Sequence, residues 1–153
     1  MDGKKKFLIL VIIALLVFLG WGFDTIRARE FTIEVMSVSP EVGIADGQTQ
    51  VTVELLVTRN GVPCEDHIIY GISLNGGNFR AKRVKTDENG IATFIYFPYF
   101  KSELNDLVDV NLHFEDESNS LFIAVSAKMD MVLPMEAPEE DDTQQGTNDD
   151  MFG

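Results

Sequence analysis

The residues of this chain that could do chemistry fall into four groups. "TDEN", residues 86–89, sets Asp87, Glu88 and Asn89 side by side, and such an oxygen-rich run is the raw material of a calcium site. "EDESN", Glu115 to Asn119, has the same polar character. Neither has the spacing of an EF-hand loop, and calcium needs several oxygens converging at about 2.3–2.6 Å. Both read instead as turns, where Asp and Asn side chains bond to nearby backbone. Cys64 has only His67 and His113 beside it, too few ligands for zinc. It reads as a small buried or half-buried residue at a strand start, and the histidines as strand residues. In "FRAKRVK", Arg80, Lys82, Arg83 and Lys85 form a basic cluster. It reads as a charged edge strand that blocks edge-to-edge pairing, or as a docking strip for an anionic partner. No GxSxG elbow, HExxH helix, phosphate loop or dinucleotide fingerprint is present. The expectation is a chain with no catalytic residues, no cofactor and no metal.

The elements that would position these groups are of two kinds. The first is an apolar block. After Lys4, Lys5 and Lys6, the 17 residues from Phe7 to Phe23 are all apolar or glycine. As a helix they span roughly 25 Å, the short end of a membrane crossing. Trp21 and Phe23 stand where an interfacial aromatic belt would lie, and the lysines favour a cytoplasmic N-terminus. Arg27 and Arg29, beyond the block, weaken that bias. An uncleaved signal-anchor, a cleaved signal peptide with Gly20-Trp21-Gly22 as its cleavage region, and a buried helix all remain open. The first two export the domain C-terminal to the block. No cysteine lies directly behind the block to carry a lipid anchor.

From Phe31 onward the period is two. Phe31, Ile33 and Val35 alternate, as do Val51, Val53, Leu55 and Val57. The same holds for Ile68, Tyr70, Ile72 and Leu74, for Ala92, Phe94 and Tyr96, and for Val108, Val110, Leu112 and Phe114. "SLFIAVSAKM" aligns Leu121, Ile123, Val125 and Ala127. Such alternation marks strands with one buried face. Asp46-Gly47, Asn60-Gly61, Gly76-Gly77 and Asn89-Gly90 punctuate them, and Asn-Gly is the strongest short hairpin signal. Asn89-Gly90 therefore reads as the bend of a hairpin, with Thr86 and Asp87 closing its entry. The fold class is all-β: an antiparallel sandwich of about seven strands behind one hydrophobic helix. The expected organisation is a basic N-terminus (1–6), a transmembrane helix (7–23), a linker (24–30), the sandwich (31–133) and a disordered acidic tail (134–153).

Ala45-Asp46-Gly47, Val51-Thr52-Val53, Asn60-Gly61 with Pro63, Gly76-Gly77, and Thr86-Asp87 with Gly90 and Ala92 occur in that order. This succession resembles the bacterial immunoglobulin-like domains of the invasin and intimin type. The resemblance implies an extracytoplasmic sandwich that serves as spacer or binding module, without catalysis. Members of that family usually occur as tandem repeats, whereas this sequence holds one copy.

The net charge of −13 argues against nucleic acid, since phosphate binding needs positive surface. Residues 134–153 contain seven acids and no base, a composition that does not fold by itself. The tail reads as a solubiliser, or as a partner motif tipped by Met151 and Phe152. The function expected is a membrane-anchored, extracytoplasmic protein-interaction module of the cell envelope. The alternatives are a bitopic structural subunit of a secretion or pilus-like assembly, a secreted binding protein, and a glycan-binding enzyme accessory. For the basic cluster the partner would be an acidic protein, an anionic envelope polymer or the chain's own tail. The oligomeric state is not legible.

Overall fold

The computed structural model describes residues 3–102, 106, 108–123 and 125–139. Helix α1, Gly3–Ala28, is followed after a two-residue turn by β1 (Phe31–Ser39), β2 (Gly43–Ile44), β3 (Val51–Arg59), β4 (Val62–Pro63) and β5 (Ile68–Ser73). Then come β6 (Asn78–Phe79), β7 (Arg83–Lys85), β8 (Ile91–Phe97), β9 (Asp109–Asp116) and β10 (Lys128–Glu136). One sheet runs β1-β3-β8-β6, with β4 also on β3; the other runs β2-β10-β9-β5-β7. The pairings are antiparallel except β2 with β10, which is parallel. There are thus ten strands among the described residues where periodicity indicated about seven. Four of the ten have only two or three residues, too few to show a period.

The core is where the inward faces meet. Val51, Val53, Leu55 and Val57 of β3 are fully buried, as are Ala92, Phe94 and Tyr96 of β8 and Val110, Leu112 and Phe114 of β9. Each large side chain among them contributes roughly 1.5–3 kcal/mol by leaving water. At the centre, Phe79, Phe94 and Phe114 form a ring cluster with centroids 5.1–5.5 Å apart, an edge-to-face spacing.

Four expectations are corrected. On β5 the buried face is Ile69 and Gly71, not Ile68, Tyr70, Ile72 and Leu74. The inward face reads Ile69, Gly71 and Ser73, so the apolar pattern favours the other face, and a slip of one residue exchanges the two. The inward position 71 is glycine because the rings of Phe94 and Phe114 fill the space; a Cβ there would lie 2.7 Å from Phe94 Cε1. On β1, Val35 is 41% exposed, since the register slips between Val35 and Ser37 and Met36 forms a bulge that twists the edge. Val108 precedes β9 and is exposed. The strand expected over "SLFIAVSAKM" begins only at Lys128, and it runs past residue 133 to Glu136. Pro134, Met135 and Glu136 therefore belong to the sheet, and Met135 is buried. The remainder of the acidic tail from residue 140, with Met151 and Phe152, lies outside the described residues.

The reading of 24–30 as a linker is also corrected. α1 continues to Ala28 without interruption, and Asp24 is its one buried residue. At 26 residues the helix is about 39 Å long. The apolar residues Phe7 to Leu19, Trp21 and Phe23 are exposed around its whole circumference, as expected of a helix whose solvent is not water.

Candidate functional site

The helix and the sandwich meet at one carboxylate. Asp24 is 1% exposed and accepts the backbone N–H groups of Leu121, Phe122 and Ile123 at 3.1, 2.8 and 2.5 Å. The Ser120 hydroxyl donates to it as well, at 3.3 Å. Successive amides converging on one anion make a nest, in which hydrogen bonds are charge-assisted. One turn further on, Arg27 Nε donates to the Asn119 carbonyl at 2.9 Å, and its guanidinium stands over the Phe31 ring. On the other flank, Phe122 packs edge-on against Phe23 at 5.6 Å and covers Gly20. Gly20, Phe23, Asp24 and Arg27 share one helix face by their spacing. The turn after α1 is closed by Asn60 N–H donating to the Glu30 carbonyl and by an Arg59–Glu30 ion pair.

The acidic turns are scaffold. Asp87 Oδ1 accepts the N–H groups of Asn89 and Ile91 at 2.9 and 2.8 Å, and Gly90 N–H donates to the Asp87 carbonyl. Gly90 has φ +75° and Asn89 is not in the left-handed region. The strands on either side, β7 and β8, lie in opposite sheets. This is a corner between sheets and not the expected hairpin. Asn60 and Gly61, with φ of 51° and 80°, do make a two-residue hairpin loop between β3 and β4. Thr86, 3% exposed, ties the corner down by donating to the Cys64 carbonyl and accepting from His67 N–H. Asp46 clamps its own loop, accepting Gln48 N–H, Thr49 N–H and the Thr49 hydroxyl, while Gly47 turns the chain at φ +70°.

Two predictions arise here. Because the Asp87 carboxylate faces backbone donors, calcium at millimolar concentration should leave the melting temperature unchanged; a rise at micromolar calcium would overturn the scaffold reading. The Thr49 hydroxyl, with its amide neighbours, holds the Asp46 pKa below its ordinary 3.8, and the Ile91 and Asn89 amides do the same for Asp87. A lowered folded-state pKa gives stability that is complete above the ordinary value and is lost as pH falls through the lowered one. Thermal stability should therefore decline below about pH 4, with a shallower acid limb in Asp46→Asn; equal slopes would refute the assignment.

Asp116 was not legible as a buried group. It lies at 0% exposure at the end of β9, inside the stretch expected to be a loop, and its carboxylate accepts His67 Nδ1 at 2.7 Å and Ser118 N–H at 2.9 Å. Cys64 lies nearby, so nucleophile, base and orienting acid are all present in name. The surroundings of Cys64 work against that chemistry. Burial, reinforced by the Asp116 charge, pushes the Cys64 thiol up, and its Sγ faces the Val62 carbonyl. That shift disfavours the thiolate, the form that acts as nucleophile or metal ligand. His113 pairs with Asp130 across the β9–β10 ladder. Among the described residues no group of three or more potential metal ligands occurs.

Two residues of the basic cluster, Arg83 and Lys85, lie on the edge strand β7 and are neutralised within the chain. Arg83 forms a two-pronged pair with Glu117 and stacks 4.9 Å over Tyr70. Lys85 pairs with Asp66. Arg80 donates to Gln50 and covers the Phe97 ring. Lys82 borders a groove with Gly71, Ile72, Ser73, Asn78 and Phe79 whose volume of about 160 Å³ is small beside ligand pockets of roughly 300 Å³ and above. The opposite edge differs. β1 is nine residues long and forms the end of its sheet, with Met36 and Val35 exposed at 54% and 41%.

Two packed sheets in this order define an immunoglobulin-like sandwich, and it is carried on a helix long and apolar enough to cross a membrane. Comparison with solved structures agrees: the D0-D1 domain of intimin matches at TM-score 0.50 and 16% identity, over 70% of this chain and 49% of that one. The D00-D0 domain of intimin matches at 0.47 and 16%, over 65% and 46%. A conjugative transposon lipoprotein from Bacteroides eggerthii matches at 0.46 and 17%, over 68% and 96%. By the first of these matches the sandwich has the intimin-type Ig-like fold, and the chain spans about half the length of the intimin fragments. No protein-family model and no curated protein matches.

Proposed function

We propose that this chain is a membrane-anchored, extracytoplasmic Ig-like module of the bacterial cell envelope that works by protein contact and not by catalysis. The observation that carries this reading is the Asp24 junction. The end of the apolar helix is built into the sandwich by four hydrogen bonds, which supports an anchor retained in the mature protein over a leader that is removed. Lys4, Lys5 and Lys6 orient it with the sandwich outside. The contact surface is the open β1 edge, where a partner strand could add by backbone pairing beside exposed Val35 and Met36.

Intact mass of the native protein tests the anchor: loss of residues 1–22 would sink it in favour of a secreted binding protein. Cross-linking in native membrane followed by detergent capture tests the surface. The expected result is a stoichiometric protein partner that Met36→Lys loses and Leu74→Lys keeps; equal capture by both variants would sink the β1 assignment. A second reading, a bitopic subunit of a secretion or pilus-like assembly, is favoured by the fixed helix–sandwich geometry. Replacing residues 7–19 with an unrelated apolar sequence separates the two, since retained function removes any need for specific helix packing.

A further inference from the structure

Between Glu117 and Lys128 the chain has ten consecutive residues without a charge. Among its described residues the expected strand does not form. Residues 119–123 instead wrap Asp24, and in doing so they carry two large apolar side chains outward: Leu121 is 58% exposed and Phe122 69%. In water this arrangement is unfavourable, and each side chain would gain by burial.

Their position is set by the helix. Phe122 Cβ lies 3.3 Å from where a Gly20 side chain would begin, and Ile123 also reaches it. Gly20 is three residues inside Phe23, the last residue of the apolar block, or about 4.5 Å along the axis toward the membrane. Phe122 therefore stands at a depth that belongs to the apolar block and not to the polar residues beyond it. Asp24, the first charge after the block, is covered at that level by the loop's own amides. A carboxylate near hydrocarbon is costly unless its acceptors are filled, and here the same loop fills them and presents the apolar pair.

We propose that Leu121 and Phe122 form a wedge that enters the interfacial layer of the bilayer, so that the sandwich rests on the membrane beside its own anchor. The occupant of this surface is lipid, at the boundary of headgroups and acyl chains, where aromatic and aliphatic side chains on a polar frame partition. The argument for lipid over a protein partner is continuity: the exposed pair extends the apolar surface of α1 at the same depth. The proposal rests on the anchor reading above.

The test uses the full chain in phosphatidylcholine vesicles, with and without acyl chains brominated near the carbonyls, which quench tryptophan on contact. The native Trp21 is the chain's one tryptophan and reports the anchor. In a Trp21→Phe background, Phe122→Trp and Leu121→Trp each report the wedge. Leu74→Trp reports a position just past the far end of β5, about 20 Å from Ile68 at 3.3 Å per residue. Expected is quenching of the native tryptophan and of the reporter at 121 or 122, with none at 74. Should the native tryptophan be quenched while the reporters at 121 and 122 behave like that at 74, the wedge is wrong and the anchor stands. An unquenched native tryptophan removes both. Because the Leu121 side chain is 58% exposed, its variant still reads depth where Phe122→Trp disturbs folding.

Discussion

Replacing Asp24 by alanine is expected to detach the sandwich from its helix while leaving both folded. The carboxylate accepts three amides and one hydroxyl of a single loop, and none of its hydrogen-bond partners belongs to a strand of either sheet. Removing it leaves those N–H groups without their acceptor, so the loop loses its reason to wrap the helix. The measurement is hydrogen exchange in detergent. The amides of Leu121, Phe122 and Ile123 should exchange faster by on the order of tenfold or more, since charge-assisted bonds are the strong class. Amides of β3 and β8 should be unchanged. Asp24→Asn should fall between, because one acceptor oxygen survives and the new NH₂ opposes the amide donors. Unchanged exchange at 121–123 in the alanine variant would mean that the Arg27–Asn119 hydrogen bond and the packing of Phe23 on Phe122 hold the junction without the carboxylate.

The largest loss of stability is expected from Gly90→Val. The residue sits at φ +75°, a conformation that costs an ordinary side chain about 1–2 kcal/mol. It is also enclosed: a Cβ would lie 2.7 Å from the Val57 carbonyl oxygen, 3.0 Å from Cys64 N and 3.1 Å from Pro63 Cβ. Two of these are backbone atoms, and the Gly90 carbonyl itself accepts Val57 N–H, so relief requires β3 to move. Overpacking of this kind adds about 1–3 kcal/mol. A total of about 3 kcal/mol or more is expected in urea titration. Gly61→Val is the control: it has the same strained φ, at +80°, but open space around it, so it should lose only the strain. Equal losses in the two variants would show that backbone conformation alone governs the corner.

The sandwich was legible because β3, β8 and β9 bury a strict alternation, Val51 to Val57, Ala92 to Tyr96 and Val110 to Phe114, which no helix period mimics. The intimin-type resemblance rested on the turns between those strands, and the fold agrees. Legibility failed where the decisive residue carries no apolar signal. Gly71 holds the inward face of β5 because two rings need its space, so its glycine points the pattern the wrong way. The corner at Asn89-Gly90 looks like a hairpin in sequence because local turn chemistry is the same whether the next strand returns to the same sheet or crosses to the other. Asp24 was hidden more thoroughly. Its partners are backbone amides 97 to 99 residues away, and an amide has no letter in the sequence. The one available signal was an acid directly abutting an apolar block, a place where a charge needs an explanation.

Under the function proposed above, the short passage from α1 through a two-residue turn into β1 changes how such a domain searches for its partner. A sandwich on a loose tether sweeps a hemisphere, and its recognition edge spends little time facing any neighbour. Here the rotation of the helix about its own axis is the rotation of the domain, because Asp24 and Arg27 fix one to the other. The β1 edge is thereby held at one height and points along one bearing from the shaft. Diffusion in the bilayer then becomes a search in two dimensions and one angle, so the effective concentration seen by a partner in the same membrane is raised without any new contact.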